Sequence, residues 1–201
     1  MTEAAFEKLY QRGRPPWDIK GPTPFVRELE QAGLIKGDVL DAGCGTGENA
    51  LYLTSRGYHV TAFDASRTAI ARATDKAKER GLDVNFQVAD ARQLSYESCF
   101  DTVIDSGLFH VFDEEADRSH YAESLWKACR PGAVVHLLAL APTRIPGGEF
   151  IRRMFSPAGC GTHGVTEREL RRAFGEGWEV ESVSNRFEQK HSFRLARIRR
   201  L

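Results

Sequence analysis

Val39-Leu40-Asp41-Ala42-Gly43-Cys44-Gly45-Thr46-Gly47-Glu48-Asn49-Ala50 is the stretch whose reading decides the fold. An apolar run ends in an acid, three glycines alternate with other residues, and a helix-forming segment follows. This order predicts a strand, a tight turn and the start of a helix, the opening unit of a doubly wound sheet. Glycine at 43, 45 and 47 lets the backbone bend sharply and lets a ligand lie directly on it, because no Cβ intervenes. The stretch therefore points to a nucleotide-like ligand, and the flanking sequence has to say which.

Downstream, the same strand–helix alternation repeats. Tyr58 to Phe63 reads as a strand ending at Asp64, and Ser66 caps a helix to Arg80 with Ala69, Ile70, Ala73 and Ala77 on its buried face. Val84 to Val88 is a strand ending near Asp90, and Phe100 to Ile104 is one ending at Asp105. Asp113 is expected to cap a helix to about Cys129, and Pro131-Gly132 to turn the chain into a strand from Ala133 to Leu140. Thr166-Glu167-Arg168-Glu169 is a capping-box pattern opening a helix to Phe174. Trp178 to Ser184 and Ser192 to Ile198 then form a late strand pair. Upstream of the glycines, a strand begins at Asp38, Thr2 to Gln11 reads as a helix with Phe6, Leu9 and Tyr10 on one face, and Thr23-Pro24 opens a second helix that Gly33 ends. The predicted fold is α/β, Rossmann-like and doubly wound: a mostly parallel seven-stranded sheet with an antiparallel C-terminal edge strand. We expect one domain over residues 1–201, with 1–37 as a helical cap and the Pro- and Gly-rich 141–165 as a candidate substrate lid.

The bulk properties remove several classes. Lys plus Arg and Asp plus Glu are both 28, so no net charge steers the chain to nucleic acid or an anionic membrane. The longest apolar run, Ala133 to Ala141, is broken by His136 and is strand-sized. The start, Met1-Thr-Glu-Ala-Ala-Phe-Glu, lacks a basic region followed by an apolar one, so no signal peptide is expected. Cys44, Cys99, Cys129 and Cys160 show no metal-site or framework spacing and read as reduced thiols of a cytoplasmic protein, with no metal.

Four expected strands end in or near an acid: Asp41, Asp64, Asp90 and Asp105. Open α/β sheets bind ligands at those ends. Carboxylates gathered there repel a pyrophosphate, and the glycine spacing is not the dinucleotide G-x-G-x-x-G. They suit S-adenosylmethionine, which offers a sulfonium, an ammonium, ribose hydroxyls and an adenine amine. Asp64 is placed for the ribose, Asp90 with Ala91 for the adenine, and Asp41 with the glycine turn for the amino-acid end. Asp41-Ala-Gly-Cys-Gly-Thr-Gly47, with acids at 64 and 90, resembles the class I S-adenosylmethionine-dependent methyltransferases from about Val39 to Leu140. Pro15-Pro16-Trp17-Asp18 and Asp105-Ser-Gly-Leu-Phe-His-Val-Phe112 are similar to small-molecule methyltransferases of the thiopurine, tellurite-resistance and heterocyclic-toxin type. That resemblance implies detoxifying N- or O-methylation of a small heterocycle, or S-methylation of a thiol. It places Trp17 beside the cofactor and 105–112 under the transfer site. The cofactor set implied is Trp17, Asp41, Gly43, Cys44, Gly45, Gly47, Asn49, Asp64, Ala65, Asp90, Ala91, Asp105 and Ser106.

Each of these residues also has a plainer reading. Trp17 serves equally as a core plug, and Asp105 as a turn former. His110 is the candidate general base, since it follows the strand where the reacting methyl should lie and imidazole titrates near neutral pH. The alternative is a histidine packed between Phe109 and Phe112. His163, in the long loop, is a second candidate. Phe109, Phe112, Phe150, Met154, Phe155 and Trp17 suit an aromatic-lined acceptor pocket, and Arg144, Arg152 and Arg153 could steer an anionic acceptor. The tail Arg194-Leu-Ala-Arg197-Ile-Arg199-Arg200 raises nucleic-acid binding as a rival. Alternation of basic with apolar residues argues instead for a sheet strand with one wet face.

Overall fold

The computed structural model describes residues 3–142, 164–188 and 191–201. The described strands are β1 Val39–Ala42, β2 Val60–Asp64, β3 Asn85–Val88, β4 Phe100–Ser106, β5 Cys129–Leu140, β6 Trp178–Glu188 and β7 His191–Arg200. The described helices are α1 Glu3–Gln11, α2 Pro24–Gln31, α3 Glu48–Ser55, α4 Arg67–Arg80, α5 Glu115–Ala128 and α6 Glu167–Ala173. One seven-stranded sheet runs in the order β3-β2-β1-β4-β5-β7-β6. Its pairings are parallel up to β5, and β7 is antiparallel to both β5 and β6. The antiparallel strand thus sits one place in from the edge, and β6 forms the edge itself. Ala42 is in register with Phe63 on one side and Asp105 on the other, so β1, β2 and β4 end together beside the glycine turn.

The sheet is buried on both faces. Leu40, Ala42 and Val103 join a core with Tyr121 and Leu125 of α5 and Leu170 of α6. Val39, Ala62 and Ile104 join a second core with Phe25 and Val26 of α2 and Ala50 and Leu53 of α3. Side chains alternate along a strand, so Asp41 shares the face of Val39, beneath α3, whereas Asp105 shares the face of Val103, beneath α5. Caps define several helix ends as expected. Thr23 accepts from the Val26 amide, Ser66 from that of Ala69, and Thr166 and Glu169 form the full capping box. Gly81, at φ 63°, ends α4.

Some element ends differ from expectation. β1 runs through Asp41 to Ala42, because both parallel neighbours continue the ladder there. β4 likewise extends to Ser106. Asp113 does not cap α5: that helix starts at Glu115, and Glu114 at the cap position makes no side-chain bond. No turn separates α5 from β5. Cys129 pairs with Phe100, and Pro131-Gly132 falls within a register shift that ends at Thr102 opposite Val134. The strand absorbs the Pro-Gly pair as an irregularity instead of starting after it. The basic tail lies on β7, with Arg197 and Arg199 paired to Glu181 of β6 and Arg200 stacked on Trp126. The 143–163 segment, which holds most of the candidate lid, lies outside the described residues.

Candidate active site

Gly43, Gly45 and Gly47 take φ values of 67°, 54° and 82°, in the left-handed region open mainly to glycine. The turn between β1 and α3 is held from three sides. From β2, the Phe63 carbonyl accepts the Cys44 amide at 2.9 Å, and the Asp64 carboxylate accepts the Gly45 amide at 2.9 Å. Behind the turn, α4 sends Lys76 to the Thr46 carbonyl and hydroxyl and to Glu48. In front, the Thr46 hydroxyl donates to Asp18 at 2.5 Å, tying the Pro15-Pro16-Trp17-Asp18 loop onto the turn. Cys44 is half-buried, and burial pushes its thiol well above its usual range.

The four acids do not share one role. Asp41 is 1% exposed, takes the Ala50 amide, and has an Oδ2 with no hydrogen-bond partner among the described residues. Burial pushes its pKa up to about 7. Asp64 accepts from Gly45 and from the Ser66 amide at 2.8 Å, one bond per oxygen, and so keeps a lone pair on each. Burial raises its pKa as well. Asp90, by contrast, caps a short 3-10 turn beginning at the buried Ala91, and both its oxygens accept from Arg92. An amine at Asp90 has to compete with a guanidinium. Asp105 is fully buried on the opposite face from Asp41. Its oxygens accept the amides of Gly107, Leu108 and Phe109 and the Tyr121 hydroxyl. The geometry therefore gives Asp105 a turn-forming role. The expected crowd of four carboxylates reduces to Asp41 and Asp64 on one face.

Asn49 and Trp17 each find a protein partner. The Asn49 side-chain oxygen accepts the Thr23 amide at 2.9 Å and lies 3.3 Å from the Thr23 hydroxyl, so Asn49 anchors the start of α2. The Thr23 hydroxyl also reaches Ser106 Oγ, at 3.5 Å. Ser106 and Ala65 stay half-buried at the ends of β4 and β2. Trp17 is no core plug: it is 41% exposed, its Nε1 donates to the Tyr10 hydroxyl at 3.1 Å, and its ring meets Phe6 and Tyr10 edge-on. Helix α1 is docked over α4 by Glu7, which accepts from Ser66 and Thr68. These bonds, that to Ser66 foremost, draw the Glu7 pKa down to about 2.

His110 lies in a 3-10 turn after β4. Its Nδ1 accepts the Leu140 amide at 3.4 Å, which puts the proton of the neutral ring on Nε2. Burial lowers its pKa to about 4, so the ring is neutral at physiological pH and presents an N–H. In this tautomer Nε2 carries the proton and Nδ1 is occupied by the Leu140 amide. His163 lies outside the described residues.

A strand-end crevice with a three-glycine turn and two acids on one face defines a cofactor-binding enzyme of the Rossmann-like methyltransferase class. Comparison with known proteins agrees. A methyltransferase-domain family model matches residues 39–132. The chain is 41% identical over 173 residues to the 2-heptyl-1-hydroxyquinolin-4(1H)-one methyltransferase of Mycobacteroides abscessus, covering 85% of this chain and 71% of that one. It is 30% identical over 150 residues to a probable thiol methyltransferase 2 of Arabidopsis thaliana, covering 73% and 66%. A solved structure described as "Conversion of a Disulfide Bond into a Thioacetal Group during Echinomycin Biosynthesis" superposes with a TM-score of 0.86 at 40% identity, over 100% of this chain and 92% of that one. This chain belongs to the S-adenosylmethionine-dependent methyltransferases.

The residues present fit that cofactor. Asp41 has a buried acceptor with no partner among the described residues, which suits an ammonium, and Asp64 has lone pairs left for hydroxyls. The space a Cβ would take at Gly43, Gly45 and Gly47 is filled by Leu108, Tyr10 and Phe86, which pack closely on the turn. Tyr10 and Thr23 border the site and were not evident from sequence; their signal was the helix face carrying Tyr10 and the cap position of Thr23.

Proposed function

We propose that this enzyme methylates an oxygen or nitrogen of a small, flat heterocycle or phenol, and that the acceptor arrives already deprotonated. The observation that carries this reading is the contact of His110 Nδ1 with the Leu140 amide after β4, which leaves Nε2–H as the donor facing away from it. When bound, S-adenosylmethionine supplies an electrophilic methyl on a sulfonium. In this reading, Asp41 and the glycine turn hold the amino-acid end and Asp64 the ribose. Trp17 closes over that end, and the half-buried Leu108 and Phe112 give the acceptor an apolar surface. His110 orients the acceptor through Nε2–H, so the chain contributes alignment and exclusion of water. The quinolone relative supports a heterocyclic acceptor. The thiol relative and the thioacetal-forming structural neighbour favour a second reading, transfer to sulfur.

The partner is then a small molecule, with the basic tail paired inside the sheet instead of offered to nucleic acid. Among the described residues no helix is long and apolar enough to cross a membrane; the cysteine pattern of the sequence supports a cytoplasmic location. We infer one domain, with 1–37 as its cap and 141–165 as its lid. A radiolabelled methyl-transfer screen over hydroxyquinolines, phenols and thiols tests the proposal. Label on heterocycles or phenols supports it, label on thiols alone establishes the second reading, and label on none of the panel refutes both.

A further inference from the structure

The amino-acid end of the cofactor carries a carboxylate as well as an ammonium, and the inner crevice is a poor place for it. Asp41 and Asp64 share that face, and nearby Asp105 adds to the negative field on Asp41. Four of the backbone donors at the turn already have acceptors. The Cys44 amide goes to Phe63, Gly45 to Asp64, Gly47 to Cys44, and Ala50 to Asp41. Lys76, the cation behind the turn, is engaged by Thr46 and Glu48. Tyr10 of α1 adds a side-chain donor at the turn, within the field of Asp64 and Asp18. Its side chain is 3% exposed, and its hydroxyl stands 2.8 Å from where a Cβ on Gly45 would be, directly over the middle of the turn. Trp17 Nε1–H donates to that oxygen, so its lone pair is used while its proton has no acceptor among the described residues. A phenol oriented by an incoming indole N–H, with its own proton left to give, is a donor prepared for an anion.

We propose that Tyr10 donates to the cofactor's carboxylate, with Trp17 fixing the direction of its O–H. Tyr10 thereby reads the amino-acid end from outside the turn while Asp41 reads the ammonium from inside. This rests on the glycine turn holding the amino-acid end, and it is independent of the acceptor's identity.

The test is calorimetric binding of S-adenosylhomocysteine and of its decarboxylated analogue, identical but for the missing carboxylate, to wild type and Tyr10→Phe. The wild type should prefer the carboxylate-bearing ligand. Tyr10→Phe should lose about tenfold or more in affinity for S-adenosylhomocysteine and change little for the analogue, the loss expected for one hydrogen bond to a charged group. Any general disturbance of α1 or Trp17 weakens both ligands alike, so an equal loss for the two would overturn the assignment. If wild type binds both ligands equally, the carboxylate is not read at all, and the placement of the amino-acid end at the turn fails with it.

Discussion

Asp64 accepts the backbone N–H of Gly45 at 2.9 Å, joining the end of β2 to the middle of the β1–α3 turn. One carboxylate therefore shapes the turn and faces the ligand crevice beside it. Because its other oxygen takes the Ser66 amide, it also fixes the entry to α4. Structure and binding meet in this residue.

Gly47 serves packing more than binding. A Cβ there would lie 2.7 Å from the Phe86 ring and 2.8 Å from Ala73 Cβ, at a φ of 82°. Gly57 has a similar φ of 92° but nothing within 4 Å. Gly57→Ala should cost about 1 kcal/mol from backbone strain alone, and Gly47→Ala about 3 kcal/mol from strain plus overpacking. Urea denaturation of the two variants checks this, and equal losses would mean that α4 and β3 move aside for the new methyl.

Asp41 gives a pH dependence whose sign follows from burial. Its folded pKa of about 7 lies above the ordinary carboxylate value of 3.8, so the folded state keeps a proton that the unfolded chain has released. Stability from this group is complete below about pH 4 and is lost as pH rises to about 7. Asp41→Asn removes that loss. The variant should melt higher than wild type at pH 8 while binding S-adenosylhomocysteine more weakly. A lower melting temperature at that pH would show that the buried carboxylate is stabilising and that its unpartnered oxygen carries no penalty.

His110 should behave as a donor. With a pKa near 4 it stays neutral over the working range, so kcat/KM should show no inflection from His110 between about pH 5.5 and 8. The profile should instead track the acceptor's own ionisation and shift when a more acidic acceptor is used. His110→Gln, which keeps a side-chain N–H, should retain more turnover than His110→Ala, which we expect to lose about tenfold. An inflection near pH 6.5 that disappears in His110→Gln would restore the base role.

Much of this architecture is legible in the sequence, because local signals and tertiary demands coincide. The caps at Thr23, Ser66 and Thr166 and the Ala69–Ala77 face of α4 are short-range chemistry, and the structure keeps them. The pairing of acids with glycines locates the crevice. Sequence could not tell which face each strand-end acid would take. A single step of strand register separates Asp41 beneath α3 from Asp105 beneath α5, and that step commits Asp105 to amides and Tyr121. Arg92, two residues from Asp90, passes for an ordinary surface charge until the fold brings Glu3 and Asp117 around it. The contacts of Tyr10 with Trp17 and of Thr23 with Asn49 depend on α1 and α2 folding back over the turn, which no periodicity encodes.

Asp64 carries the cofactor assignment most directly. If the turn and its two acids form the cofactor site, deleting this carboxylate removes hydrogen bonds worth about 1.5–3 kcal/mol. Titration calorimetry of S-adenosylhomocysteine into Asp64→Ala should then show affinity at least about tenfold below wild type. Unchanged affinity in a folded variant would contradict the account and move the cofactor away from the end of β2.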